Sequence, residues 1–242
     1  MNRILSVTVL ALAASAPTFG QTPETKADQP GRAGGQSDEF HFLSPIKGWS
    51  VAEETLDDYE IGVDRSVAHG GRASACVRSK AAGLKAGAVV LRQAIRADYF
   101  RGRRIRLSGY VKGHVTEGWA GLWMRIDGQQ GDRLGLDNMK DRPIRGKTEW
   151  VKYEVVLDVP EDSIAIAFGL LLAGEGQVWM DDLELEVVDH QTVTTGAYRR
   201  SEPRPGDEES KRRRAAYAGR LNEELKTMPS RPVNTDFESP DL

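Results

Sequence analysis

The stretch GWAGLWMRIDG, residues 118–128, carries the residue types of a sugar-binding surface. Because alternate side chains of a strand point to opposite faces, one face would be the core face of Ala120, Leu122, Met124 and Ile126. The other face carries our candidate ligand-binding residues, which are Trp119, Trp123, Arg125 and Asp127. Indole rings stack on the apolar faces of pyranose rings, while charged groups bind sugar hydroxyls. The alternative is that both tryptophans pack beneath a loop or a second sheet.

A second stretch, GQVWMDDLELEVVD at 176–189, places a carboxylate on a predicted core face. With period two, the core face would carry Trp179, Asp181, Leu183, Leu185 and Val187. The solvent-exposed face would carry Met180, Asp182, Glu184 and Glu186. Burying an ionised carboxylate on a core face costs free energy unless the carboxylate is paired. Asp181 therefore requires a partner.

Sequence signatures of catalysis are missing. The chain has no Gly-x-Ser-x-Gly elbow. The GKT at 146–148 lacks the first glycine of a phosphate-binding loop, because Asp141 occupies that position. The histidines lack metal-ligand spacing and lie at His41, His69, His114 and His190. We therefore predict that the protein is not an enzyme, with a small hydrolase that uses an unrecognised carboxylate pair as one alternative.

The spacing of short apolar runs predicts an all-β fold. We predict strands near residues 40–43, 59–64, 72–79, 87–95, 103–114, 118–127, 133–138, 149–158, 163–172 and 176–188. No helical pattern separates these runs, and many of the 25 glycines fall between them. This arrangement favours an antiparallel β-sandwich of the jelly-roll type, over residues 39–190.

The two ends of the chain differ from this β-rich part. Residues 1–20 have the charged start, apolar run and small-residue end of a signal peptide. Residues 21–38 read as a disordered linker. After the sandwich we predict three further segments: a linker at 191–206, a helix at 207–228 and a flexible tail at 229–242.

The predicted compartment and partners follow from these ends and from the charge. An apolar run this short does not span a bilayer stably, so we expect a secreted or periplasmic protein with no membrane insertion after signal removal. The formal net charge of −3 leaves no overall basic field, so no nucleic acid partner is expected. The single cysteine, Cys76, cannot form an internal disulfide.

Residues 40–190 resemble a known family. The most specific features are Tyr59, Asp64, His69, Gly71 and Ser74, followed by the GQVWMDDLELE ending. Together they are similar to the galactose-binding-like jelly-roll module of exported bacterial proteins. That module is related to carbohydrate-binding modules, and it is found beside tail-specific proteases and some transcriptional regulators. The resemblance implies a binding module more firmly than it implies a ligand.

The C-terminal sequence PVNTDFE also resembles the opening strand of such a module. Its matching residues are Asn234, Asp236, Phe237 and Glu238. SDEF at 37–40 is expected to be the equivalent opening of the present module. Either the chain is a shortened relative of a longer protein, or this similarity is accidental.

Three interpretations of Asp181 stay open. It could accept hydrogen bonds from an arginine or a backbone turn, or a bulge could turn it outwards. It could also hold a structural Ca²⁺ with Asp182 as the second carboxylate, since calcium prefers oxygen ligands and the resembling modules often bind calcium near their last strand. No other cofactor is expected. The predicted function is an exported, non-catalytic module that binds carbohydrate or another extracellular ligand, with docking of a cell-envelope protein as the main alternative.

Overall fold

The computed structural model describes residues 46–52, 55–80, 87–198 and 207–239. The strands are β1 (Tyr59–Asp64), β2 (Ser74–Ser79), β3 (Ala88–Arg96), β4 (Arg103–Gly128), β5 (Arg133–Asp137), β6 (Ile144–Val159), β7 (Ser163–Val188) and β8 (Ala197–Tyr198). One helix follows, α1 (Glu208–Glu224). Every strand pairing in this part of the chain is antiparallel.

Two long strands, β4 and β7, run through the whole fold. Each has 26 residues and they pair along their length, yet a straight strand of that size would be about 85 Å long. Both strands bend where Gly118 of β4 lies opposite Gly174 of β7, and both glycines have a positive φ. A Cβ on Gly118 would lie 1.9 Å from the carbonyl oxygen of Ala173, and one on Gly174 would lie 2.4 Å from that of Glu117. Only glycine permits the two backbones to approach this closely.

The bend creates two layers. The first layer contains β1, β2, the C-terminal half of β7, the N-terminal half of β4, and β6. The second layer contains β3, the N-terminal half of β7, the C-terminal half of β4, β5 and β8. Both halves of β4 supply the core, with Ile105, Leu107 and Val111 from one and Leu122, Met124 and Ile126 from the other.

The predicted fold class is confirmed. The predicted strands at 103–114 and 118–127 are the two halves of β4, and those at 163–172 and 176–188 are the two halves of β7. The predicted helix is observed as α1. The predicted strand at 40–43, the signal peptide and the linker at 21–38 lie outside the described residues. In the part of the chain that the structure describes, no helix is long and apolar enough to cross a membrane.

The predicted faces of the last strand are wrong before Asp181. Met180 is fully buried in the core, whereas Trp179 lies on the outer face and its indole nitrogen donates to Asp64 at 2.8 Å. The cause is a bulge, because Asp182 has φ +48° and the register with β4 shifts beside it. One extra residue exchanges the two faces. Beyond the bulge, Leu183 is buried as predicted, whereas Val187 is 40% exposed.

The segment after α1 completes the core. Phe237 is fully buried, with its ring centroid 5.3 Å from that of Trp49. The side-chain amide of Gln93 donates to the carbonyl of Val233 and accepts from its N–H, both at 2.8 Å. The sequence predicted a flexible tail at 229–242, whereas in the structure an aromatic ring and a buried amide hold residues 233–237 against the core. SDEF at 37–40 lies outside the described residues.

Replacing Phe237 by alanine tests this role. We expect Phe237→Ala to lower the free energy of unfolding by about 3–5 kcal/mol, because a fully buried ring leaves a cavity. Val193→Ala is the control, since Val193 is 80% exposed, and its effect is expected within about 0.5 kcal/mol. Urea unfolding followed by tryptophan fluorescence measures both. Equal stability of the two variants would contradict a core role for Phe237.

Candidate functional site

A cavity of about 450 Å³ lies on the outer face of the second layer, beneath α1. Its apolar wall consists of Val51, Ala52, Val90, Trp123, Leu136 and Leu171. Its polar wall consists of Arg92, Arg125, Arg133, Asn138, Tyr217, Arg220 and Glu224. Ligand cavities commonly have this size and this mixture of apolar surface with a few polar groups.

Trp123 is the most unusual residue of this wall. Its side chain is on the outer face of β4, opposite Gly169 of β7, and is not part of the core between the layers. The residue is only 6% exposed, yet its indole N–H has no hydrogen-bond partner among the described residues. Buried indole N–H groups usually have a partner. The Trp123 N–H is therefore an unsatisfied buried donor beside the cavity.

Arg125 and Asp127 form a buried cluster with Tyr217 of α1. Arg125 Nε donates to Asp127 Oδ2 at 3.0 Å, and the Tyr217 hydroxyl donates to the same oxygen at 2.9 Å. The Tyr217 hydroxyl also accepts from Arg125. Burial and the charge of Asp127 raise the pKa of Tyr217, so its hydroxyl stays protonated and remains a donor. This cluster orients Arg125 at the cavity wall.

Helix α1 is held over the cavity by Leu221 and by its C-terminal end. Asp207 caps the helix by accepting from the N–H of Ser210 at 2.9 Å, and two glutamates occupy the first turn. Leu221 is 2% exposed and anchors the helix to the sheet. Near the C-terminal end, Glu224 accepts from Arg92 at 3.2 Å. The inner face of α1 therefore becomes a wall of the site.

The structure brings together only some of the predicted ligand-binding residues. Trp123 and Arg125 line the cavity. Asp127 is 2% exposed and lies behind Arg125. Trp119 is on the same outer face, about 13 Å along the strand from Trp123, and does not line the cavity. The role of these four residues in ligand binding stays a prediction.

Sequence reasoning missed the residues that α1 and β5 contribute. Tyr217, Arg220 and Glu224 have helical spacing and share one face of α1. Tyr217, the one aromatic residue of this helix, was the available signal. Nothing local in the sequence indicated that this face would lie against β4.

Asp181 has backbone partners. Its side chain is fully buried and accepts from the N–H groups of His69 at 2.8 Å, Gly70 at 3.1 Å and Asp182 at 2.8 Å. The hydrogen-bonded interpretation is therefore observed, and the bulge beside Asp181 does not turn it outwards. Among the described residues, no cluster of three or more histidine, cysteine or acidic side chains could hold a metal. Calcium bound by Asp181 and Asp182 stays a prediction.

A second aromatic group lies on the outer face of the first layer. His69 stacks on Tyr110 with ring centroids 3.5 Å apart, and Trp150 contacts His69 edge-on at 5.7 Å. His69 Nδ1 lies 2.7 Å from Asp182 Oδ2. The sequence did not predict this cluster, which supplies a matched control surface for the cavity.

No protein-family model matches the chain. A protein of Bacillus subtilis (strain 168), named an uncharacterized HTH-type transcriptional regulator YbfP, is 39% identical over 160 residues. The match covers 66% of this chain, and the chain spans about half the length of that relative, 54%.

Solved structures of similar fold include carbohydrate-binding modules. The CBM22-1 xylan-binding domain of Paenibacillus barcinonensis Xyn10C is 16% identical, with a TM-score of 0.43, over 58% of this chain and 86% of that one. TmCBM61, solved with β-1,4-galactotriose, is 15% identical, with a TM-score of 0.38, over 61% and 91%. The likeness is one of fold alone and names no ligand for this protein.

The turn after β5 supports the cavity wall at Asn138. Arg142 binds Asp137 with both guanidinium NH₂ groups, Nη2 to Oδ2 at 2.6 Å and Nη1 to Oδ1 at 3.1 Å. The N–H of Met139 donates to the same carboxylate at 2.8 Å. Although burial opposes ionisation, these donors hold the pKa of Asp137 below its usual value.

The stability that Asp137 contributes should therefore depend on pH. Because its pKa is lower in the folded than in the unfolded state, the contribution is complete above the unfolded pKa of about 3.9 and is lost as the pH falls through the folded value. We expect Asp137→Asn to lower the free energy of unfolding by about 2 kcal/mol at pH 7. The difference from wild type should shrink below about pH 4.

Urea unfolding from pH 7 to pH 2.5 measures this difference. Asp141→Asn is the matched control, because Asp141 contacts the same Arg142 but its side chain is 76% exposed. A difference between wild type and Asp137→Asn that does not change with pH would contradict the ionised pair.

Proposed function

We propose that the protein is a non-catalytic carbohydrate-binding module, and that a short sugar segment binds in the cavity between the second layer and α1. The observation that supports this most is Trp123, whose side chain lines the cavity and whose buried indole N–H has no partner in the described part of the chain. Sugars present both hydroxyl oxygens for such a donor and apolar ring faces for an indole.

The dimensions and the lining of the cavity support a small ligand. Its volume of about 450 Å³ lies in the range of small-molecule sites. Leu171 and Val90 line it beside the indole, and Asn138 adds an amide that can both donate and accept. Half-exposed Trp119, further along the same face, would contact a longer chain that leaves the cavity.

The side chains near the cavity favour binding without catalysis. A glycosidase requires two carboxyl groups that flank the bond it cleaves. Here Glu224 is the one acidic group among the described lining residues and is paired with Arg92, while Asp127 is enclosed by Arg125 and Tyr217. The thiol of Cys76 is buried, and burial raises its pKa, so it is a poor nucleophile.

We also propose that the protein acts outside the cytoplasm, in the periplasm or after secretion. The support is the signal-peptide pattern of residues 1–20, which lie outside the described residues. Polysaccharides of cell envelopes or of the surroundings would then be the ligands within reach.

Substitutions at Trp123 test the proposed site. On an array of plant and bacterial oligosaccharides, we expect wild type to bind a subset of glycans. Trp123→Phe keeps an aromatic ring but removes the N–H, so affinity for those glycans should fall about five- to ten-fold, equivalent to about 1–1.4 kcal/mol. Isothermal titration calorimetry measures the change.

Trp150→Phe is the matched control, because Trp150 belongs to the aromatic group on the other layer. Its affinity should equal that of wild type. Circular dichroism establishes that both variants are folded. The absence of any bound glycan with wild type would contradict the proposed function, and loss of binding in Trp150→Phe alone would place the site on the opposite face.

A further inference from the structure

The four arginines that line the cavity divide into two pairs. Arg92 and Arg125 are engaged by carboxylates, Glu224 and Asp127 respectively. Arg133 and Arg220 have no hydrogen-bond or ion-pair partner among the described residues, although both line the cavity. Both are exposed, so a ligand entering the cavity can reach their guanidinium groups.

These two arginines come from different elements that form the walls of the cavity. Arg133 begins β5, where it lies opposite Asp127 of β4 in the sheet register. Arg220 is on the inner face of α1, between Tyr217 and Glu224. A ligand bound to both would therefore bridge the sheet and the helix.

The side chains of Arg133 and Arg220 and the indole N–H of Trp123, which have no partner in the described part of the chain, can only donate. Guanidinium groups and the indole N–H have no acceptor atom. A ligand that satisfies Arg133, Arg220 and Trp123 together must present several acceptor oxygens. Two unneutralised guanidinium groups beside a partly enclosed cavity also favour a negative charge on the ligand.

A carboxylate fits this donor set well. Its two oxygens match the planar fork of a guanidinium group, and hydrogen bonds between ionised partners are about twice as strong as neutral ones. A neutral sugar would leave the two arginines without a counter-charge inside the site. The cavity therefore favours a sugar that carries its own acid group.

We propose that the ligand of this cavity is an acidic oligosaccharide, one whose sugar units carry a carboxylate. The carboxylate binds Arg133 and Arg220, and a ring or hydroxyl oxygen of the same chain accepts from the indole N–H of Trp123. This inference rests on the proposed carbohydrate-binding function and names the class of sugar.

The test compares each acidic glycan with a form of the same chain that has no charge. Suitable pairs are oligogalacturonate with its methyl ester, and glucuronoxylan oligosaccharides with carboxyl-reduced forms. We expect wild type to bind the acid member of at least one pair ten-fold or more tightly than its neutral partner. The preference should weaken as the salt concentration rises, because charges near the surface are screened.

The arginine variants give a second readout. Arg133→Gln and Arg220→Gln should each reduce the affinity for the acidic glycan roughly ten-fold while changing the affinity for its neutral partner less than two-fold. Arg212→Gln is the control, because Arg212 is exposed on α1 and does not line the cavity. It should bind like wild type.

The outcomes distinguish a failure of this inference from a failure of the proposed carbohydrate-binding function. Binding of neutral glycans that requires Trp123, with no preference for any acid member, would overturn the acidic ligand but keep the carbohydrate-binding function. No binding of any glycan would overturn both. An acid preference that survives in the double variant Arg133→Gln/Arg220→Gln would also overturn the assignment, since the charge would be recognised elsewhere.

Discussion

The close approach of the β4 and β7 backbones at Gly118 and Gly174 is the constraint on which the structure depends. Gly118 and Gly174 approach backbone carbonyls at distances that exclude a Cβ atom, so the two strands bend together. One pair of strands thus serves both layers and supplies the centre of each. Because the bend preserves strict alternation from Trp119 to Asp127, the outward face of the second layer carries a row of indole and charged side chains.

The C-terminal residues turn that open face into a cavity. Gln93 and Trp49 bind the backbone of residues 233–234, and Phe237 enters the core. This anchor follows α1 directly and limits where the helix can lie, while Tyr217 sets its approach to the sheet through Asp127. The burial of Asp127 is thus explained by its contact with the helix. The two arginines of the cavity wall that have no partner among the described residues, Arg133 and Arg220, are hydrogen-bond donors.

The sequence predicted the outer face of β4 but not the bulge in β7 or the contribution of α1 to the site. Alternation predicted the face of β4 correctly, because no register shift interrupts the strand between Trp119 and Ile126. It failed at Trp179 and Met180, since the bulge at Asp182 depends on the turn at His69 and Gly70, which is distant in sequence. The contributions of α1 could not be predicted, because a long-range anchor and not the helical pattern fixes its position.

The central claim is that the indole N–H of Trp123 acquires a ligand oxygen as its partner. Nuclear magnetic resonance resolves the indole N–H signals of the five tryptophans, which single substitutions assign. On titration with a bound glycan, the Trp123 signal should move downfield and exchange more slowly with solvent, while the Trp150 signal stays in place. A ligand that saturates the protein and leaves the Trp123 signal unchanged would contradict the account.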